Sequence, residues 1–99
     1  MDISKIRENA NKASGLLKAM SNEHRLMILC QLVHGEKNVG ELEKIIGLSQ
    51  SALSQHLARL RRDNLVATRR QAQTIFYSLT GKEAPAVLET LNGLYRAAD

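Results

Sequence analysis

The chain has 99 residues, of which 43% are hydrophobic and 24% are charged, with a formal net charge of +4 and a single cysteine. A chain of this length forms one small domain over residues 1–99, and its apolar runs fall far short of the roughly 20 residues of a transmembrane helix. It lacks the pattern of a secretory signal and cannot form an internal disulfide, so we expect a cytoplasmic protein.

The first 33 residues predict two helices. Apolar residues recur every three or four positions from Ile3 to Met20, which predicts an amphipathic first helix. The apolar positions of this stripe are Ile3, Ile6, Ala10, Ala13, Leu17 and Met20. A second helix, about Glu23 to Val33, follows a capping residue, either Ser21 or Asn22. Because it is apolar on nearly every side, we expect it in the middle of the domain.

Two further helices are predicted on either side of a tight turn. A short third helix, about Val39 to Ile46, ends at Gly47 in a left-handed turn. Its inward residues are predicted to be Leu42, Ile45 and Ile46. A fourth helix starts after the N-cap Ser49 and runs to about Asp63. Its apolar line consists of Leu53, Leu57 and Leu60.

The remainder of the chain predicts a hairpin and a last helix. Leu65 to Arg70 and Thr74 to Leu79 are rich in β-branched and aromatic residues, and the loop Gln71–Gln73 separates them. The last helix, about Lys82 to Ala97, tolerates Pro85 in its first turn. Its apolar side contains Val87, Leu88, Leu91, Leu94 and Tyr95.

A short helix, a turn, a second helix and a basic hairpin form the outline of a winged helix-turn-helix. The predicted fold class is therefore mainly α with a β-hairpin wing, built from five helices and a two-stranded antiparallel hairpin.

The positive charge is concentrated in the segment that contains the fourth helix and the hairpin. Residues 49–81 carry a formal charge of +4, against +1 for residues 1–48 and −1 for residues 82–99. The excess consists of arginines, whose planar fork suits phosphates and base edges. A solvated basic face is the alternative, but the pattern favours nucleic acid as the partner.

The fourth helix has the side chains of a groove reader on the side opposite its leucines. Short polar groups allow close approach to DNA, glutamine can pair with adenine, and arginine can hold phosphates. An ordinary solvated surface usually includes acids, whereas residues 49–62 contain none. The predicted DNA-binding residues here are Ser49, Gln50, Ser51, Ser54, Gln55, Arg59 and Arg62. Those at the hairpin tip are Thr68, Arg69, Arg70 and Gln73, with charged protection of an edge strand as the alternative role.

Three segments resemble the ArsR/SmtB family of dimeric bacterial transcription regulators. They are LLKAMSNEHRLMIL from Leu16, VGELEKIIGLSQSALSQHLARLRRDNLV from Val39 and TRRQAQTIFYSL from Thr68. Within that family the chain is most similar to the branch that contains HlyU, NolR, BigR and SqrR. The resemblance implies a homodimer joined by the first and last helices, bound to a pseudo-palindromic operator in double-stranded DNA, and therefore associated with the nucleoid.

The resemblance also indicates which signals the chain lacks. Metal sensors of the family use paired cysteines in the third helix or histidines in the last, and neither is present, so we expect no metal site and no cofactor. Persulfide sensors pair a cysteine in the second helix with one that follows a tyrosine in the last. Cys30 matches the first, but Arg96 follows Tyr95. Cys30 is then either a small core residue or a single-cysteine switch that could bridge to its dimer mate.

Three functions are consistent with the sequence. The leading hypothesis is a dimeric, sequence-specific DNA-binding transcription regulator that acts as a repressor or an anti-repressor. A redox- or sulfide-responsive repressor acting through Cys30 is one alternative, and a dimerisation module without DNA binding is the other. We do not expect an enzyme, because the sequence has no glycine-rich phosphate loop and no recognisable catalytic triad.

Overall fold

A computed structural model describes residues 2–96, which form five helices and three strands. In chain order these are α1 (Ile3–Met20), α2 (Glu23–Leu32), β1 (Lys37–Asn38), α3 (Val39–Ile46), α4 (Gln50–Arg62), β2 (Val66–Gln71), β3 (Thr74–Leu79) and α5 (Glu83–Arg96). This order confirms the predicted winged helix-turn-helix. The predicted last residue of the final helix, Ala97, lies outside the described residues.

Side-chain caps fix where the central helices begin. The Asn22 side chain accepts hydrogen bonds from the first backbone N–H groups of α2, so the cap is Asn22 and not Ser21. Asn38 and Glu41 form a reciprocal capping box at the start of α3. Ser49 caps α4, and Gly47 ends α3 with a φ of +82°, a conformation that glycine adopts without strain. The turn between α3 and α4 is therefore specified locally.

The wing is a three-stranded antiparallel sheet in the order β1-β3-β2, which corrects the predicted two-stranded hairpin. The additional strand, β1, pairs Lys37 with Tyr77 and Asn38 with Phe76. Two residues are too short to show an alternating pattern, so nothing local in the sequence indicates this strand. The strand pairs extend to the last residues before a tight two-residue turn, in which Ala72 has a positive φ of 57°.

The core lies between α2, α3, α4 and the base of the sheet. Ile28, Leu29 and Leu42 are fully buried, as are the three leucines of α4, which confirms the predicted apolar line. Ile45 is 48% exposed, so its predicted inward position is wrong. At about 100° per residue, Leu42 and Ile46 lie close together on α3, whereas Ile45 lies about 60° to the other side of Leu42 and leaves the core.

The apolar side of α1 and the C-terminal end of α5 are largely uncovered in the single chain. Ile3 and Leu17 of α1 are exposed, and so are Leu94 and Tyr95 of α5. Only Ala19 and Met20, the last two residues of α1, are buried. Within residues 2–96, no helix is long and apolar enough to cross a membrane.

Candidate nucleic-acid interface

The three leucines that bury one side of α4 determine which side chains it presents outward. The exposed residues of this helix are Gln50, Ser51, Ser54, Gln55, Ala58, Arg61 and Arg62. This outward face contains no acid and no large apolar group. Its first turn carries hydroxyl and amide groups, and its last turn carries guanidinium groups. Hydrogen-bonding groups at the N-terminal end and cations at the C-terminal end are typical of a recognition helix.

Arg61 belongs to this face but was missed in the sequence analysis. It is seven residues after Ser54, so at about 3.6 residues per turn the two side chains project on nearly the same line of the helix. That spacing was the signal that could have found it. Arg61 also lines a surface cleft with Thr68 of β2, which places it between the end of α4 and the base of the wing.

The structure brings the start of α4 and the tip of the wing together. Gln50 and Gln73 line the same open cleft of about 390 Å³, together with residues from the start of α3. Both glutamines are exposed. Two residues that are 23 positions apart in sequence therefore present amide groups on one continuous surface.

The arginines predicted to bind DNA differ in their surroundings. Arg59 Nε lies 3.2 Å from an Asp63 carboxylate oxygen, one helical turn away. Arg69 holds Glu36 through Nε, at 3.0 and 2.9 Å from the two carboxylate oxygens, and also through Nη2. Among residues 2–96, Arg62 and Arg70 have no acidic side chain within 4.0 Å.

The remaining predicted contacts on the wing also differ in exposure. Gln73 and Arg70 are exposed, whereas Thr68 is half-buried opposite Tyr77. The hydrogen bond from Arg69 lowers the pKa of the Glu36 carboxyl below its usual range and raises that of the Arg69 guanidinium. Both groups are therefore charged at every pH at which the protein would meet DNA.

Two of the three histidines lie close together, one at the start of α2 and the other on α4. The His24 and His56 rings lie 5.8 Å apart. The pKa of His56 is lowered, first by burial and then by the positive charges of Arg25 and His24. Arg25 in turn donates a 2.7 Å hydrogen bond to the Ala19 carbonyl at the end of α1. These contacts give His56 a packing role between helices.

Cys30 is exposed, so its interpretation as a buried core residue is wrong for the single subunit. The thiol lines a groove of about 380 Å³ between α2 and α5, with Val33 and His34 on one side and Leu88 and Glu89 on the other. Partial burial in this groove raises the pKa of the Cys30 thiol. Because α2 is apolar on nearly every side, its sequence predicts burial at every position. The neighbouring elements cover only part of the helix surface, and Cys30 lies on the uncovered part.

Metal ligands do not converge anywhere in residues 2–96, where no three His, Cys, Asp or Glu side chains are grouped to hold an ion.

Known proteins share both the sequence and the fold. Residues 22–68 match the family of bacterial regulatory proteins described as the arsR family. The transcriptional activator HlyU of Vibrio cholerae is 54% identical over all 99 residues, which align with 92% of that protein. The chain belongs to the arsR family.

Two further relatives confirm the branch of the ArsR family that the sequence resembles. The nodulation protein NolR of Rhizobium meliloti is 52% identical over 89% of this chain and 72% of its own length. The crystal structure of the transcriptional repressor BigR from Xylella fastidiosa is 42% identical and superposes with a TM-score of 0.88, covering 96% of this chain and 97% of that one. Activators and repressors thus share this ArsR-type fold.

Proposed function

We propose that this ArsR-family regulator is a homodimer that reads a pseudo-palindromic promoter site with two copies of α4. Membership of the family makes the chain a DNA-binding transcription regulator rather than an enzyme. The observation that carries the sequence-specific reading is the acid-free outward face of α4, held in place by three leucines that are fully buried. A regulator that binds promoters of a bacterial chromosome would lie in the cytoplasm, on the nucleoid.

The residues at the start of α4 would read base edges in the major groove. Gln50 and Gln55 can each pair with adenine through the amide, and Ser51 and Ser54 can bond to several bases. All four are exposed. Ser49 would contribute chiefly through its cap, which keeps the first turn of α4 helical and its N–H groups directed at a phosphate.

The cations would hold the sugar-phosphate backbone. Arg61 and Arg62 follow the reading residues on α4, and Arg70 and Gln73 would reach the flanking duplex from the wing. For a phosphate to bind Arg59, it must compete with the Asp63 carboxylate. Thr68, which is half-buried, would contact DNA only at the edge of this surface.

The second subunit would cover the apolar sides of α1 and α5. Ile3, Leu17, Leu94 and Tyr95 leave a large apolar surface uncovered in the single chain, and such surfaces mark interaction sites. A symmetric dimer would place its two recognition helices about 34 Å apart, one turn of DNA. Light scattering at micromolar concentration should give a mass of two chains, and a Leu94→Glu substitution should reduce it to one.

In vitro selection of bound DNA, followed by fluorescence anisotropy on the selected and a random duplex, tests the reading role of α4. Gln55→Ala should reduce the free energy of binding to the selected duplex by about 1 to 3 kcal/mol and should change binding to the random duplex little. Arg62→Gln should weaken binding to both duplexes equally, because a phosphate contact carries no sequence information. Gln31→Ala, a glutamine change on α2, is the matched control and should alter neither affinity.

The outcomes separate the candidate functions. Equal losses on both duplexes from Gln55→Ala would refute base reading by this residue. A wild-type protein that selects no sequence and ignores promoter fragments at low salt would instead be a dimerisation module.

A second candidate function adds a signal through the thiol. The exposure of Cys30 in the groove between α2 and α5 favours it, because small oxidants can reach the sulfur there. Oxidation or persulfidation of Cys30 would then release the dimer from DNA or allow it to bind. The protein would act by this change as a repressor or an anti-repressor. Affinity should change on treatment of the wild type with peroxide or persulfide and should not change in Cys30→Ser. Equal responses of the two proteins would exclude the switch.

A further inference from the structure

The ion pair between Arg69 and Glu36 spans the whole width of the wing sheet. Arg69 lies on β2, and Phe76 is its partner on the central strand β3. Phe76 also pairs with Asn38 on β1, and Glu36 lies two residues before Asn38. The guanidinium carbon sits 4.6 Å from the centre of the Phe76 ring, so the side chain crosses β3 on top of that ring to reach Glu36.

All three guanidinium nitrogens of Arg69 donate hydrogen bonds within the protein. Nε and Nη2 hold both oxygens of the Glu36 carboxylate, and Nη1 donates to the Gln71 side-chain oxygen at 3.0 Å. Only arginine can make this arrangement, since lysine has neither the planar fork nor a flat face to stack on a ring. The geometry is that of a built contact between two parts of the wing.

One end of this contact lies next to the helix-turn-helix. Asn38, two residues after Glu36, caps α3 and shares the cleft that contains Gln50 and Gln73. The other end is adjacent to Arg70, the exposed cation of the wing. The Arg69–Glu36 contact therefore connects the wing to the segment that leads into the helix-turn-helix.

We propose that Arg69 is a positioning residue that clamps the wing to the start of α3 through Glu36, and not a phosphate contact. This inference rests on the proposed function, because it assigns the clamp a role in DNA recognition. Glu36 has the opposite charge to a DNA-binding residue and lies on the wing side of the molecule. The negative charge of Glu36 opposes phosphate binding. The role of Glu36 in the clamp is to hold Arg69 and thereby fix the position of the wing.

Two substitutions that do not reduce the positive charge of the protein test the clamp. Arg69→Lys keeps the charge but loses the fork and the stacking, and Glu36→Gln makes the protein one unit more positive. Each should weaken binding to the selected duplex about threefold to tenfold, the size expected for residues coupled in one network. Binding of either variant to a random duplex should not fall. The double variant should be no weaker than the weaker single variant.

A structural measurement accompanies the affinities. Hydrogen exchange at the backbone amides of β2 and β3 should become faster in Arg69→Lys and Glu36→Gln without DNA, while the amides of α2 and α4 keep their protection. Glu43→Gln is the matched control, since it raises the net charge by the same unit as Glu36→Gln at an acid of α3 that forms no ion pair within residues 2–96. It should leave the exchange rates of the wing unchanged and should not weaken binding to the selected duplex.

The results distinguish the clamp from the proposed function. If Glu36→Gln binds the selected duplex as tightly as wild type or more tightly, and Arg69→Lys is unchanged, then Arg69 is not a positioning residue and only this inference is overturned. If the wild-type protein binds no duplex, the proposed function is overturned and the clamp has no DNA role.

Discussion

The salt dependence of DNA binding should reveal how many arginines meet phosphates. Arg61, Arg62 and Arg70 are exposed and have no acidic partner within residues 2–96, whereas Arg59 and Arg69 are paired with carboxylates. Three such residues in each of two subunits would neutralise about six phosphates, for a slope of about −5.4 in log affinity against log salt. Affinity should then fall about 2,000-fold between 50 and 200 mM salt.

Substitution of single arginines should change this slope by predictable steps. In a dimer, Arg62→Gln removes two phosphate contacts, so the slope should become less steep by about 1.8. Arg59→Gln should change it much less, because the guanidinium already faces Asp63 at 3.2 Å. Fluorescence anisotropy on one duplex at five or six salt concentrations measures each slope directly.

Two results would contradict this assignment of the phosphate contacts. A wild-type slope near −9 would mean that all five arginines in each subunit bind phosphates and that the observed ion pairs open on DNA. A slope that Arg62→Gln leaves unchanged would mean that the outward face of α4 does not lie against the duplex.

Three further predictions concern the subunit itself. Leu57→Ala, at a fully buried position of α4, should lower the free energy of unfolding by about 2 to 5 kcal/mol in urea titrations, and a loss below that range would mean the core is looser than its burial indicates. Because burial and then Arg25 and His24 lower the pKa of His56, the folded state disfavours its protonation. Stability should therefore be complete above the pKa of an unfolded histidine and should fall as the pH drops from there through the folded pKa, a loss that His56→Gln should remove. The raised pKa of Cys30 should make its alkylation by iodoacetamide slower than that of a free thiol at neutral pH, with the rate still increasing where the free thiol has levelled off; a rate equal to that of the free thiol would contradict it.

The features that depend on local chemistry were predictable from the sequence. The bounds of α1 and α3 agree with the periodicity and the caps, and the left-handed turn at Gly47 follows from glycine at the end of a helix. The outward face of α4 was predictable because three leucines leave only one orientation for a helix on a core. The Arg59–Asp63 pair could have been found in the same way, from its spacing of four residues.

The features that depend on distant pairing were not predictable. β1 consists of two residues whose partners are 40 and 38 positions away, and neither residue type favours a strand. The Arg69–Glu36 contact joins residues 33 positions apart and exists only because β1 completes the sheet. The proposal that Arg69 positions the wing therefore depends on the topology of the sheet, which the periodicity of the sequence does not report.

The exposure of α1 makes promoter occupancy depend steeply on the concentration of the protein. Its own subunit covers this 18-residue helix only near its end, where Leu16 is partly buried and Ala19 and Met20 are buried. Most of the stability of a helix in a protein comes from packing of its apolar face. If a second chain supplies that packing, α1 becomes fully helical as the dimer forms. The fraction of dimer and the occupancy of the operator then both increase with protein concentration. Below the dissociation constant of the dimer, promoter occupancy then varies with about the square of the cellular copy number. A modest change in synthesis would thereby be converted into a sharper change in transcription.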